Sequence, residues 1–109
     1  MSEQCDFHDA VEYLIKTAPR FAKAKAERVY VENFLRSKKS LLMAKTEGSI
    51  AAKEAYAYAH PEYQQLLDGL RAAVEAEETL KWKMIAAEMS VEIWRSEQAN
   101  NRRQDNATR

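Results

Sequence analysis

The residues of this chain best suited to chemistry are cations with aromatic rings set among them. Arg20, Lys23, Lys25, Arg28, Arg36, Lys38, Lys39 and Lys45 fall within one segment, with Phe21, Tyr30 and Phe34 interleaved. Basic side chains neutralise phosphates, and an aromatic ring stacks a nucleobase whatever its identity. The same pattern also describes a solvated helix face. Tyr30 and Phe34 fall on the apolar side of the segment and read as core. Tyr56 and Tyr58 point to different sides of an Ala-rich stretch, so at least one of them is expected at the surface.

Other chemistry is poorly represented. The chain has no Gly-rich phosphate loop, no Cys/His pair at metal-ligand spacing and no nucleophile elbow. His8 with Asp9 and Cys5 is the one conceivable ligand cluster, and it reads better as an exposed first helical turn. His60, just before Pro61, reads as part of a helix N-cap. Cys5 is the sole cysteine, which excludes an internal disulfide and suggests a reducing compartment. With no positioned acid, base or nucleophile, the expectation is a protein that is not an enzyme and holds no cofactor or metal.

The elements that must position the basic segment are helices. Ala, Glu, Lys, Leu, Arg and Gln dominate, and only Gly48, Gly69, Pro19 and Pro61 act as breakers. Asp6 can cap a short first helix with Phe7, Ala10, Val11, Leu14 and Ile15 on one face. That helix is expected to end before Pro19. A second helix follows from Arg20 to about Lys45, with Tyr30, Val31, Phe34, Leu35, Leu41 and Leu42 sharing a face. Thr46 to Ser49 reads as a break, and Ile50 to Ala59 as a short third helix. Pro61 opens a long last helix that reaches roughly Arg95 and frays through Arg103. The expected organisation is one helical domain over 1–103 and a disordered tail over 104–109.

That last helix carries a seam: Tyr63, Leu66, Leu70, Ala73, Glu77, Leu80, Met84, Ala87, Val91 and Trp94, at alternating steps of three and four. Such spacing keeps one narrow stripe against a partner helix. Glu77, the polar member, either fixes register or pairs at the rim with Lys81. An antiparallel pairing of the second and last helices leaves Leu67, Val74, Ile85, Met89 and Ile93 outside the seam, which favours self-association. The fold expected is all-α: an antiparallel helical hairpin with a short N-terminal helix and a coiled-coil-like C-terminal helix, oligomeric.

The formal net charge is zero, but its distribution is uneven. Residues 16–45 hold nine Lys/Arg against Glu27 and Glu32, whereas residues 60–94 hold seven acids against Arg71, Lys81 and Lys83. The first of these segments could follow a phosphate backbone and the second could not. No apolar run approaches a membrane span and the start of the chain lacks a signal-peptide pattern, so a cytoplasmic protein without a membrane partner is expected.

The run Val29-Tyr30-Val31-Glu32-Asn33-Phe34-Leu35-Arg36-Ser37-Lys38-Lys39 resembles the start of the core of phage recombination mediators of the UvsY type. The Lys/Ala/Tyr-rich stretch from Ala51 to Tyr63, the Thr79-Leu80-Lys81-Trp82 step and Ile93-Trp94-Arg95-Ser96 extend the similarity over about residues 25–97. The resemblance implies a non-enzymatic protein that binds single-stranded DNA and helps a RecA-like recombinase load onto strands coated by single-strand binding protein. It also implies a homo-oligomer, acting in the host cytoplasm if phage-encoded. On that reading Arg28, Arg36, Lys38, Lys39, Lys45 and Lys53 contact DNA. Leu66, Leu70, Leu80, Met84, Val91 and Trp94 form the oligomer interface. The acidic first helix and the Glu75-Glu77-Glu78 segment depart from the family's pattern. The competing expectations are a protein-interaction module, such as a phage inhibitor of a host nuclease or defence enzyme, and a small assembly protein.

Overall fold

The computed structural model describes residues 7–107, and the Cys5 and Asp6 readings lie outside them. The protein is all-α, with no strand among the described residues: α1 spans Phe7–Ala44, α2 Ile50–Ala59 and α3 Pro61–Ala107. α1 and α3 pair as a helical hairpin. The chain divides into two compact units, one of Met1–Phe21 with Thr79–Arg109 and one of Ala22–Glu78.

The expected break at Thr17–Pro19 is absent, because the first two expected helices are one. Proline in a helix interior removes a hydrogen bond and crowds the preceding turn. Its position explains why the helix survives. A stripe of buried and half-buried positions runs along α1 through Ala10, Leu14, Thr17, Phe21, Ala24, Arg28, Val31, Leu35, Lys38 and Leu42, again at steps of three and four, with further half-buried positions such as Val11, Glu32 and Lys39 beside it. Pro19 lies outside this stripe and is exposed, so the stripe keeps its phase across it. Tertiary packing of that stripe outweighs the local cost of the proline.

The joints follow local chemistry. Gly48 takes φ 127°, a conformation that residues with a Cβ rarely adopt. Ser49 then caps α2, its side chain accepting from the Ala52 N–H at 3.1 Å. At the next joint the Glu62 N–H donates to His60 Nδ1 at 3.1 Å, so His60 caps α3 as its place before Pro61 suggested. Gln64 closes the same turn, donating from Nε2 to the Tyr58 carbonyl at 2.6 Å. α3 runs on through Gln104–Ala107, where the sequence suggested a tail without structure. No Gly or Pro follows Gly69, so no local signal stops the helix.

Buried side chains are few. Ala10, Thr17 and Ala87 are covered in the first unit, and Leu42, Ala57 and Glu77 in the second. Leu42 is fully inaccessible.

Candidate nucleic-acid interface

Within the Ala22–Glu78 unit, the hairpin sorts the candidate cations into two groups. Arg28 is the most heavily engaged. Its Nε donates to Glu77 Oε2, its Nη2 to Glu77 Oε1 at 3.2 Å and its Nη1 to Glu32 at 2.9 Å. A two-pronged guanidinium–carboxylate pair is strong and directional. The Glu77 hydrogen bond first, then that of Glu32, raises the Arg28 pKa above its ordinary value. Glu77 is 8% exposed, so the polar seam position looks inward to Arg28. Glu77 is therefore a buried position of the seam and not one at its rim.

Lys38 is tied to Glu62, and that contact holds the Glu62 carboxyl below its usual range. Lys39 sits 3.8 Å from Glu54 and 4.7 Å from the centre of the Tyr58 ring. The interaction with Tyr58, ahead of the charge of Glu54, raises the Lys39 pKa. Arg28, Lys38 and Lys39 thus serve the hairpin, each with a side chain less than a third exposed. Arg36 and Lys45 stand exposed and Lys53 is half-buried. Lys23 and Lys25 are also exposed in this unit.

The aromatics reverse the expected assignment. Tyr30 is 64% exposed, Phe34 42% and Leu41 57%, so none of the three is core. The apolar face of this segment is narrower than the sequence suggested: Val31, Leu35 and Leu42 face inward, while Tyr30, Phe34 and Leu41 lie one step around the helix. The Tyr30 and Phe34 rings are near-parallel, with centroids 6.1 Å apart and planes 17° from each other. The signal that could have found this arrangement is the three–four stripe of α1. It excludes Tyr30 and Phe34 once Thr17 and Arg28 are accepted as members. Tyr56 and Tyr58 are both exposed, at 41% and 43%.

In the unit of Phe7–Phe21 and Thr79–Ala107, Leu80, Met84 and Val91 are half-buried and Trp94 is 39% exposed. Trp94 stacks on Phe7 at 4.2 Å and 25°. Leu66 and Leu70, in the other unit, are also half-buried. Of the six seam positions expected at an oligomer interface, Leu66, Leu70, Leu80, Met84 and Val91 are thus half-buried within the chain itself, and Trp94 stays exposed beside Phe7. A different stripe of α3 faces out: Trp82, Met89 and Ile93 are each about three-fifths exposed and share one side at steps of seven and four. A groove in this unit is lined by Asp9, Ala10, Tyr13, Arg20, Leu80 and Lys83 among others.

No set of three His, Cys, Asp or Glu side chains is placed to hold a metal ion among the described residues. His8 lies against the Phe7 ring, with centroids 5.6 Å apart. No described helix is long and apolar enough to cross a membrane. No protein-family model, curated protein or solved structure matches this chain.

Proposed function

We propose that this chain is a non-enzymatic accessory protein that binds single-stranded DNA without sequence preference and assists a RecA-like recombinase on strands coated by single-strand binding protein. The observation that supports this reading is the surplus of cations left on α1 and in the turn after it once the hairpin's own ion pairs are set aside. Lys23, Lys25, Arg36 and Lys45 are exposed within the Ala22–Glu78 unit. Exposed cations of this kind neutralise phosphates and release counterions, so affinity falls steeply with salt. Binding of oligo-dT measured by fluorescence anisotropy over a range of salt tests the reading. It expects a negative slope of log affinity on log salt. Absence of binding at low ionic strength removes it.

A second reading rests on the outward stripe of α3. Trp82, Met89 and Ile93 form an exposed apolar line on one helix side, the type of surface that docks another helix. This supports a protein-interaction module, with a second copy of the chain as its simplest occupant. Sedimentation of the wild type beside a Trp82→Ser/Ile93→Ser variant separates the cases. An oligomer that becomes a monomer supports self-association through this stripe. A wild type that is already monomeric leaves the stripe to a different protein.

A further inference from the structure

We infer that Tyr30 and Phe34 form a base-stacking platform, flanked by Lys23 on α1 and by Lys45 in the turn after it, that selects single-stranded over duplex nucleic acid. The inference rests on the DNA-binding reading above and names the side chains that would do the recognising. Four observations meet at this face. Both rings are exposed, lying off the covered stripe of α1. Their planes lie within 17° of each other, so bases stacked on the two rings would themselves run nearly parallel, as neighbouring bases of one strand do. Lys23 precedes Tyr30 by seven residues, which puts it on the same side of α1, and Lys45 lies in the turn that follows Ala44; both are exposed. The helical part of this face, from Lys23 to the end of α1, is about 32 Å long, a length that an extended strand can follow.

The fourth observation is a surface hollow beside Phe34, lined by Lys38, Glu62, Gln65 and Leu66 within the same unit. Leu66 supplies an apolar contact there and the Gln65 side-chain amide can both donate and accept. A base lying over Phe34 would therefore have a polar group within reach of its edge. Charge selects the occupant. Of the carboxylates of α1, Glu27 alone lies on this side between Lys23 and Lys38, and Glu32 is bonded to Arg28 on the opposite side; Glu62 of α3 also borders the hollow, paired there with Lys38, so Lys23 and Lys45 carry the attraction. A polyanion with exposed flat rings fits this face. In a duplex the base faces are already stacked on one another, so the platform would have nothing to bind.

The test uses the full chain, with labelled oligo-dT and a duplex of equal length as probes. Tyr30→Leu/Phe34→Leu keeps apolar bulk and helix propensity while removing both rings. Removing each ring is expected to weaken oligo-dT binding by about fivefold to a hundredfold, with the salt slope unchanged because every cation remains. Duplex binding should stay as it was. Lys23→Gln/Lys45→Gln should instead flatten the salt slope, by about 0.7 for each phosphate no longer neutralised. The conservative swap Tyr30→Phe/Phe34→Tyr should bind as the wild type does. If wild type binds oligo-dT and the leucine variant binds equally well, the platform is wrong and the DNA-binding reading stands. If wild type binds neither probe, both fall. If the leucine variant loses self-association in sedimentation while its DNA binding is unchanged, the face is a protein interface and the platform is overturned.

Discussion

The two units of this chain use the same helices and hold them together by different means. In the Ala22–Glu78 unit, charged pairs run from one helix to another: Arg28 to Glu77, Lys38 to Glu62 and Lys39 to Glu54. In the other unit, Lys16–Glu12 and Arg95–Glu92 each lie along a single helix, and the contact between helices includes the Phe7–Trp94 stack and small buried side chains, Ala10 and Ala87. The difference bears on register. An apolar seam repeating every three or four residues can slip by a turn and still bury apolar surface. A buried carboxylate cannot follow, because a one-turn slip of α1 would set Ala24 or Val31 opposite Glu77 and leave the charge without its partner. Within the Ala22–Glu78 unit the ion pairs specify the pairing.

The sharpest way to break this comparison is to reverse the charge of Glu77. Glu77→Arg places a second guanidinium against Arg28 at a position only 8% exposed. It is expected to lower the unfolding midpoint further than truncating a single core side chain does. Adding Arg28→Glu should restore much of the stability, since the pair is then re-formed in the opposite sense. A double variant no more stable than the single one would show that the pair does not set register. Leu42→Ala, which empties a fully buried site in the same unit, is expected to cost about 2–5 kcal/mol in denaturant unfolding, with no rescue by charge.

Two helix defects sharpen the contrast from the other direction. Pro19 lies inside α1 in the first unit, exposed and off the covered stripe. Pro19→Ala should stabilise the protein by about 3 kcal/mol, the usual cost of proline in a helix interior. Gly69 lies inside α3 in the second unit, and a Cβ added there meets nothing within 4 Å. Gly69→Ala should gain about 1 kcal/mol. Thermal unfolding followed by circular dichroism measures both. No gain at Pro19 would mean that the proline shapes α1 in a way the covered stripe requires.

Much of this architecture was legible in the sequence, and the gaps have physical causes. The seam of α3, the glycine joint at Gly48, the serine cap and the start at Pro61 are each local signals, and each appears where the residues indicated. The continuity of α1 was hidden because its covered stripe contains Thr17, Arg28 and Lys38, which do not register as apolar. The charge separation was legible as a pattern but not as a purpose. A basic segment facing an acidic one inside the same hairpin looks, in one dimension, like a basic segment waiting for phosphate. Which cations remain for a ligand depends on helix phase, and this placed Arg28 and Arg36 on different sides. The exposure of Tyr30 and Phe34 was hidden for the same reason, since an aromatic beside Val31 and Leu35 passes for core until the stripe is fixed.

The smallest expected effect concerns acid, and it separates the units without any substitution. Lys38 holds the Glu62 carboxyl below its ordinary pKa of 4.5, and Lys16 does the same to Glu12. A carboxylate whose pKa is lower in the folded state contributes its stability in full above the ordinary value. That contribution is lost as pH falls through the folded value, because the unfolded chain takes up the proton first. Both pairs should therefore weaken below about pH 4.5, and both should weaken further in salt. Their consequences differ. Losing Glu62–Lys38 loosens the tie between α3 and α1, whereas losing Glu12–Lys16 affects only neighbouring turns of one helix. Amide exchange followed across this range should show protection falling earlier in residues 22–78 than in 7–21 and 79–107. Lys38→Met should remove most of that difference. An equal acid response in the two units would mean that the ion pairs between helices are incidental to the packing.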